Sequence, residues 1–430
     1  MKIVISTDIY YPMINGVAVF SRNLAMGMSQ RGHDVVVLAP SIDGDFHMEK
    51  DAEGGFRVAR LPSFKMPFYP DQINDVPEAK KFFGKQIPKL LYRNGLHVSL
   101  NPYPEIKKVL DDFKPDLIHD QTPGPVALAV YRYAKKHDIS IVATSHAYPD
   151  NLTSQLHVGK IGKKTLDVVM QQYFTSFLRR SAYATMPTEL AMDDLLPKKR
   201  RRFKVPVEAI SNGVDLSKFH CRKTSAKIYE KYGIDMNKRT VLYVGRIDPE
   251  KTLHKLLEAF ALANRKCKNS QLVLVGDGTD KSRLESAAEE LGIRDDVVFV
   301  GRVIGKDLPE LYTTGDVFGI SSSTETQGIV VIEAMASSLP VVAVRGGAVE
   351  ELVHHKRNGF LHNADDIEGF ARSLRNILEH PKLQKKMGAE SKKIVKKHDL
   401  NQTLQRMEEI YTEVVRVKKE EGYEAYDFDI

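Results

Sequence analysis

Two carboxylates stand eight residues apart in "SSSTETQGIVVIEAMASSLPVV": Glu325 in a Ser/Thr loop and Glu333 inside an apolar stretch. An acid among Ile332, Ala334 and Met335 is costly to bury unless a partner uses it. If a helix starts near Gly328, Glu325 precedes its N-terminus, where the dipole favours negative charge, and Glu333 lies within it. By propensity "GIVVI" also reads as a strand, whereas "EAMASS" favours helix. The alternatives are a Glu333 paired with a nearby cation and a Glu325 that only caps a helix.

A second constellation is cationic. In "VGRIDPEKTLHKLLEAF" a strand ends at Val244, Gly245 turns, and a helix is expected to restart with Pro249 and Glu250 in its opening turn. Arg246 and Lys251 then lie where a helix N-terminus and two cations can hold a diphosphate. A solvated turn with exposed charges is the competing reading. "LVLVGDGTDKSRLESAAEELG" has the same shape, with Gly276 and Gly278 allowing a tight turn before a helix. It lacks the third glycine of the dinucleotide fingerprint, which argues against a nicotinamide-dependent oxidoreductase.

These residues need a scaffold that brings loop ends together. Short β-branched runs alternate with helical stretches: "KIVIST", "DVVVLAP", "DLIHDQ", "SIVATSH", "YATMPT" and "VPVEAISNG", then "TVLYVGRI", "QLVLVGDG", "DVVFVGRV", "DVFGISSS" and "PVVAVRGG". Near-continuous apolar strands between helices indicate parallel sheets covered on both faces. The alternation restarts after Asn212-Gly213, which places a boundary near residue 218. The expected fold class is α/β, two doubly wound domains facing a cleft, 1–218 and 219–399. Ligands in such sheets bind at the carboxyl ends of strands. The last segment is apolar at Leu404, Met407, Ile410, Tyr411 and Val414, a helical spacing, so a long amphipathic helix fills about 400–430.

At 430 residues, 42% hydrophobic and 28% charged, the chain has the composition of a folded protein with two domains. No apolar run reaches the roughly 20 residues needed to span a bilayer, and the start, "MKIVISTDIYYP", is unlike a signal peptide, so a cytoplasmic location is expected. Cys221 and Cys267 are too few for a disulfide framework and read as reduced thiols. The formal charge of +7 suits phosphate-bearing ligands, anionic lipid or nucleic acid without choosing among them.

Taken together, "NGVAVFSRNLAMGMSQRGHDVVVLAP", "ISNGVDLSKF", "GRIDPEK", "LVGDG", "VFVGRV" and the E-x7-E pair of Glu325 and Glu333 resemble the retaining glycosyltransferases of family 4 along nearly the whole chain. That resemblance implies the GT-B fold of two Rossmann-like domains, the first binding the acceptor and the second the nucleotide-sugar donor, with the C-terminal helix returning to the first. It implies that Arg246 and Lys251 bind the donor diphosphate, that Glu333 takes the ribose hydroxyls, and that Glu325 faces the transferred sugar. The backbone around Gly328 and Ile329 would reach the sugar or phosphate, and the loop from Gly301 to Val303 would hold the base. Gly276 counts among the donor-binding residues. In the first domain, Gly16 is where the backbone approaches the diphosphate, although the family has two adjacent glycines where this chain has Asn15-Gly16. His146, ending "IVATSH", matches the family's histidine beside the donor sugar. No cofactor and no metal is expected; a nucleotide sugar is the substrate.

For the acceptor, "TETQG", "SHAYPDNL" and "MPTELAMDDLL" are similar to the subgroup that glucosylates diacylglycerol, with UDP-glucose as the implied donor. The stretch "LLPKKRRRFKVP" sets Lys198, Lys199, Arg200, Arg201, Arg202 and Lys204 beside Leu195, Leu196 and Phe203. Such clusters attract anionic lipid, and apolar neighbours dip into the interface. Lys198 to Phe203 are therefore the candidate membrane contact, with residues 80–93 as a second, and the enzyme is expected to sit on the inner face of the cell membrane. A solvated basic face is the alternative. Neither segment falls in a nucleic-acid-binding module, so nucleic acid is not expected as a partner. The competing functions are transfer to a soluble sugar, a polysaccharide intermediate or phosphatidylinositol, and a non-catalytic nucleotide-sugar binder using the same Arg246, Lys251 and Glu333.

Overall fold

A computed structural model of the chain describes residues 1–13, 15–65, 97–146, 160–196, 203–219, 224–303 and 305–421. It is a mixed α/β protein of two compact units, Met1–Asn212 with Thr403–Ile430, and Gly213–Gln402. The second unit begins at Gly213, a few residues before the expected boundary. The amide of Val214 donates to the His398 carbonyl at 2.9 Å and that of Leu400 to the Val214 carbonyl at 3.0 Å, while Val214 and Phe219 are buried in the second unit's core.

The first unit carries β1 (Lys2–Ser6), β2 (Asp34–Pro40), β3 (His47–Lys50), β4 (Arg57–Leu61), β5 (Phe64–Lys65), β6 (His97–Val98), β7 (Leu117–Asp120), β8 (Ser140–Thr144), β9 (Tyr183–Met186) and β10 (Val207–Ala209). Its main sheet runs β10-β9-β8-β7-β1-β2-β4-β3, parallel except where β3 meets β4. The order reverses between β7 and β1. The helix Leu400–Glu421 buries Leu404, Met407, Ile410, Tyr411 and Val414. It is tied to the first unit by the His33–Glu408 pair at 2.9 Å and the Arg406–Glu208 pair at 2.7 Å.

The second unit carries β11 (Arg239–Val244), β12 (Ser270–Val275), β13 (Val297–Gly301), β14 (Val317–Ile320), β15 (Val341–Val344) and β16 (Gly359–His362), all parallel. The order β13-β12-β11-β14-β15-β16 is that of a doubly wound sheet, with its switch point between β11 and β14. Side-chain alternation along the strands builds two core layers. Leu242, Val273 and Phe318 pack on one face of the sheet, and Val241, Leu272 and Val317 on the other. Burial on both faces is what makes these strands read as continuous apolar runs.

Candidate active site

The switch point of the second unit gathers most of the residues singled out above. After β11 and β12 the two turns are pressed together: Gly276 has φ +149°, and a Cβ there would lie 1.8 Å from the Gly245 carbonyl oxygen. Only glycine permits that approach. The chain then departs from the expected helix. Pro249–Lys251 form a single tight turn, Thr252 takes a left-handed φ of 49°, and the long helix starts at Leu253. The loop after β14 explains the break. The Thr252 hydroxyl donates to the Ser321 carbonyl at 2.8 Å, and the Ser321 hydroxyl donates to the Thr252 carbonyl at 3.0 Å.

That exchange of hydrogen bonds brings Lys251 to Glu325. Its Nζ donates to Oε1 at 2.6 Å, with both side chains largely enclosed at 14% and 13% exposure. Arg246 is more open, at 48%, and is held by Asp248 and Glu250 of its own turn. The Glu325 carbonyl accepts from the Ala348 amide at 2.8 Å, so the loop after β15 braces the loop after β14.

The strand-or-helix ambiguity resolves to the helix Ile329–Ala336, started by Gly328 at φ +66°. No side chain caps it, and the first amides of a helix have no acceptor within it. Glu333 sits in its second turn, half-buried, with Tyr312 and not a cation as its partner: the phenol donates to Oε2 at 2.6 Å. Burial pushes the Glu333 carboxyl up to about 7, against the opposing pull of the Tyr312 hydrogen bond. Gly301 has φ +81° and its carbonyl accepts from the Gly276 amide at 2.9 Å, while Val303 packs against the core.

The first unit presents different chemistry at its strand ends. Gly16 is exposed and opens the helix Gly16–Gln30, and Asn15 caps that helix by accepting from the Ala18 amide at 2.9 Å. His146 follows β8. Its Nε2 meets Gln121 Oε1 at 2.9 Å and its Nδ1 meets the Asn212 amide nitrogen at 3.2 Å, with the Phe20 ring edge-on at 5.2 Å. Desolvation pushes this imidazole down to about 3, so it is neutral at ordinary pH. Among the described residues, no group of three or more His, Cys, Asp or Glu side chains gathers as a metal site.

Two family models cover most of the chain, one for glycosyltransferase family 4 over residues 14–218 and one for glycosyl transferases group 1 over residues 224–394. The chain is a family 4-type glycosyltransferase. The enzyme is 27% identical over 374 residues to an alpha-monoglucosyldiacylglycerol synthase of Streptococcus pneumoniae, covering 86% of this chain and 77% of that one. It is 25% identical over 368 residues to a GDP-mannose-dependent alpha-mannosyltransferase of Mycobacterium tuberculosis, covering 86% and 85%. The crystal structure of Anabaena HepE in complex with UDP-glucose superposes with a TM-score of 0.67 at 18% identity, covering 96% of this chain and 100% of that one. The fold is GT-B.

In the enzyme, then, Arg246, Lys251, Gly276, Gly301, Val303, Glu325, Gly328, Ile329 and Glu333 belong to the second unit, and Gly16 and His146 to the first. Tyr312, Gln121 and Asn212 escaped the sequence reading. The need of Glu333 for a partner was visible, but nothing in the spacing singles out a tyrosine 21 residues away. Of the basic segment, Lys198, Lys199, Arg200, Arg201 and Arg202 lie outside the described residues, as do residues 80–93. Phe203 is described and is partly buried against the cluster of Ala143, Leu195 and Leu196. Among the described residues no helix is long and apolar enough to cross a membrane.

Proposed function

We propose that this glycosyltransferase moves glucose from UDP-glucose to the hydroxyl of a glycerolipid such as diacylglycerol, with retention at the anomeric carbon and without a metal or cofactor. The observation that carries the reading is the enclosed Lys251–Glu325 pair at the switch point, next to an uncapped helix N-terminus. Lys251, Arg246 and the amides from Ile329 onward supply fixed positive charge for a departing diphosphate, the largest electrostatic demand of such a reaction. The bond from the anomeric carbon to the phosphate oxygen breaks, the bond to the acceptor oxygen forms on the same face, and the acceptor proton passes to the leaving phosphate oxygen. Glu325, ion-paired with Lys251, orients the sugar and stabilises its developing positive charge, while Glu333 accepts from the ribose hydroxyls. His146, neutral, offers a hydrogen bond to the sugar by giving up its contact with Gln121 or Asn212.

Support for the lipid acceptor comes from the monoglucosyldiacylglycerol synthase relative, and for the uridine donor from the HepE complex. The mannosyltransferase relative favours GDP-mannose as the competing donor. The test is transfer from a panel of radiolabelled nucleotide sugars to a total lipid extract with anionic vesicles. Label from UDP-glucose in the organic phase is the expected result. Label that stays in water, and appears in product only when soluble acceptors are added, overturns the lipid acceptor.

A further inference from the structure

The Tyr312 hydroxyl is aimed from the core at the one acid of the helix Ile329–Ala336. Tyr312 is fully buried, with the Phe219 ring at 5.5 Å and the Phe318 ring at 6.2 Å. It ends the helix Asp307–Tyr312, whose start is pinned where Asp307 accepts from Lys231 at 2.6 Å and from Tyr232 at 2.9 Å. A phenol clamped this firmly has one polar atom to place, and it places it 2.6 Å from Glu333 Oε2.

We propose that Tyr312 is a positioning residue for the donor: by holding Glu333 Oε2 it fixes the carboxylate plane and leaves Oε1 for the paired hydroxyls of the nucleotide's ribose. The inference rests on reading Glu333 as the ribose ligand. The terminal torsion of a glutamate is broad, so an unheld carboxylate samples orientations that miss a vicinal diol, and fixing it beforehand removes that cost from binding. Hydrogen bonds to an ionised carboxylate are short and strong, as this one is. The same bond opposes the burial that raises the Glu333 carboxyl, which keeps the accepting form within reach at neutral pH.

Calorimetric titration of the full chain with uridine diphosphate and with its 2′,3′-dideoxy analogue, the guanosine pair run alongside, separates the possibilities. The variants are Tyr312→Phe, which keeps the ring between Phe219 and Phe318, Glu333→Gln, and the double substitution. Tyr312→Phe is expected to weaken the ribose nucleotide about tenfold, to leave the dideoxy analogue unchanged, and to have no further effect in the Glu333→Gln background. Equal weakening of both nucleotides by Tyr312→Phe, or the same loss with and without Glu333, makes Tyr312 a core residue only and overturns the positioning role while the ribose reading stands. A Glu333→Gln chain that binds both nucleotides like the wild type removes the ribose reading, and the role of Tyr312 falls with it.

Discussion

The strand ends of the two units solve opposite electrostatic problems. In the second unit the cations are available: Arg246 is half-exposed and Lys251 meets a single carboxylate beside a helix N-terminus. In the first unit charge is neutralised or sealed. His146 is pushed down to about 3, Asp8 is pushed up to about 6 while accepting from the Val126 amide, and Asp120 is raised well above the ordinary carboxylate range by complete burial. The nearby arginines are locked into ion pairs, Arg22 with Asp51 at 2.9 Å and Arg60 with Glu49 at 2.8 Å. On the proposed reading, two sheets of similar topology carry an anion-holding rim and a largely uncharged hydrogen-bonding rim. The difference lies in how far their loops enclose the paired cations: Arg246 is 48% exposed, Arg22 10% and Arg60 5%.

The comparison breaks first at Lys251. Lys251→Ala removes the enclosed cation and leaves Glu325 without its partner, and steady-state kinetics are expected to show kcat/KM down about a thousandfold. A loss of tenfold or less would mean that the second rim does not hold the leaving group. Glu325→Gln tests the other half of the pair. Transfer should fall about a hundredfold while nucleotide affinity, read by calorimetry, changes far less; equal losses would reduce Glu325 to a binding residue.

Glu333 sharpens the contrast through pH. Its folded pKa is raised from 4.5 to about 7, so the protonated acid is the form folding favours. The stability this provides is complete below about pH 4.5 and is lost as pH rises through about 7. Glu333→Gln should therefore melt higher than the wild type at pH 8 and not at pH 4, the gap amounting to at most about 3 kcal/mol. On the proposed reading, in which the ionised carboxylate accepts the ribose hydroxyls, nucleotide affinity runs the other way. It should weaken by up to about tenfold per unit below pH 7, and Glu333→Gln should flatten that slope.

The smallest effect belongs to the neutral rim. His146→Asn is expected to lower turnover by about tenfold or less without altering the shape of the rate profile between about pH 5 and 8, since the imidazole does not titrate there. A limb that disappears with His146 would show that this imidazole titrates in that range.

The strands that build both rims were legible because burial on two faces makes them near-continuous apolar runs, as in "TVLYVGRI" and "QLVLVGDG". Those that escaped have the wrong texture. β4 contains Arg57 and Arg60, tolerated in a sheet because Asp34 and Glu49 pair with them, and β16 is four residues long after the polar "HHKRN". The positions of Arg246, Lys251 and Glu325 at one switch point followed from strand ends alone. Their mutual contact did not, because it depends on Thr252 and Ser321 trading hydrogen bonds across the switch, an interaction 69 residues apart in sequence. For the same reason Tyr312 stayed hidden: its chemistry is a single hydroxyl at the end of a ring that is otherwise core.

Hydrogen exchange of the full chain with and without UDP-glucose tests the division of labour most directly. Protection is expected to concentrate in residues 244–252 and 321–333 of the second unit, with a lesser effect around His146. Protection confined to the first unit, at residues 117–121 and 140–146, would contradict it and would move the anion-holding site to the rim whose charges are already spent.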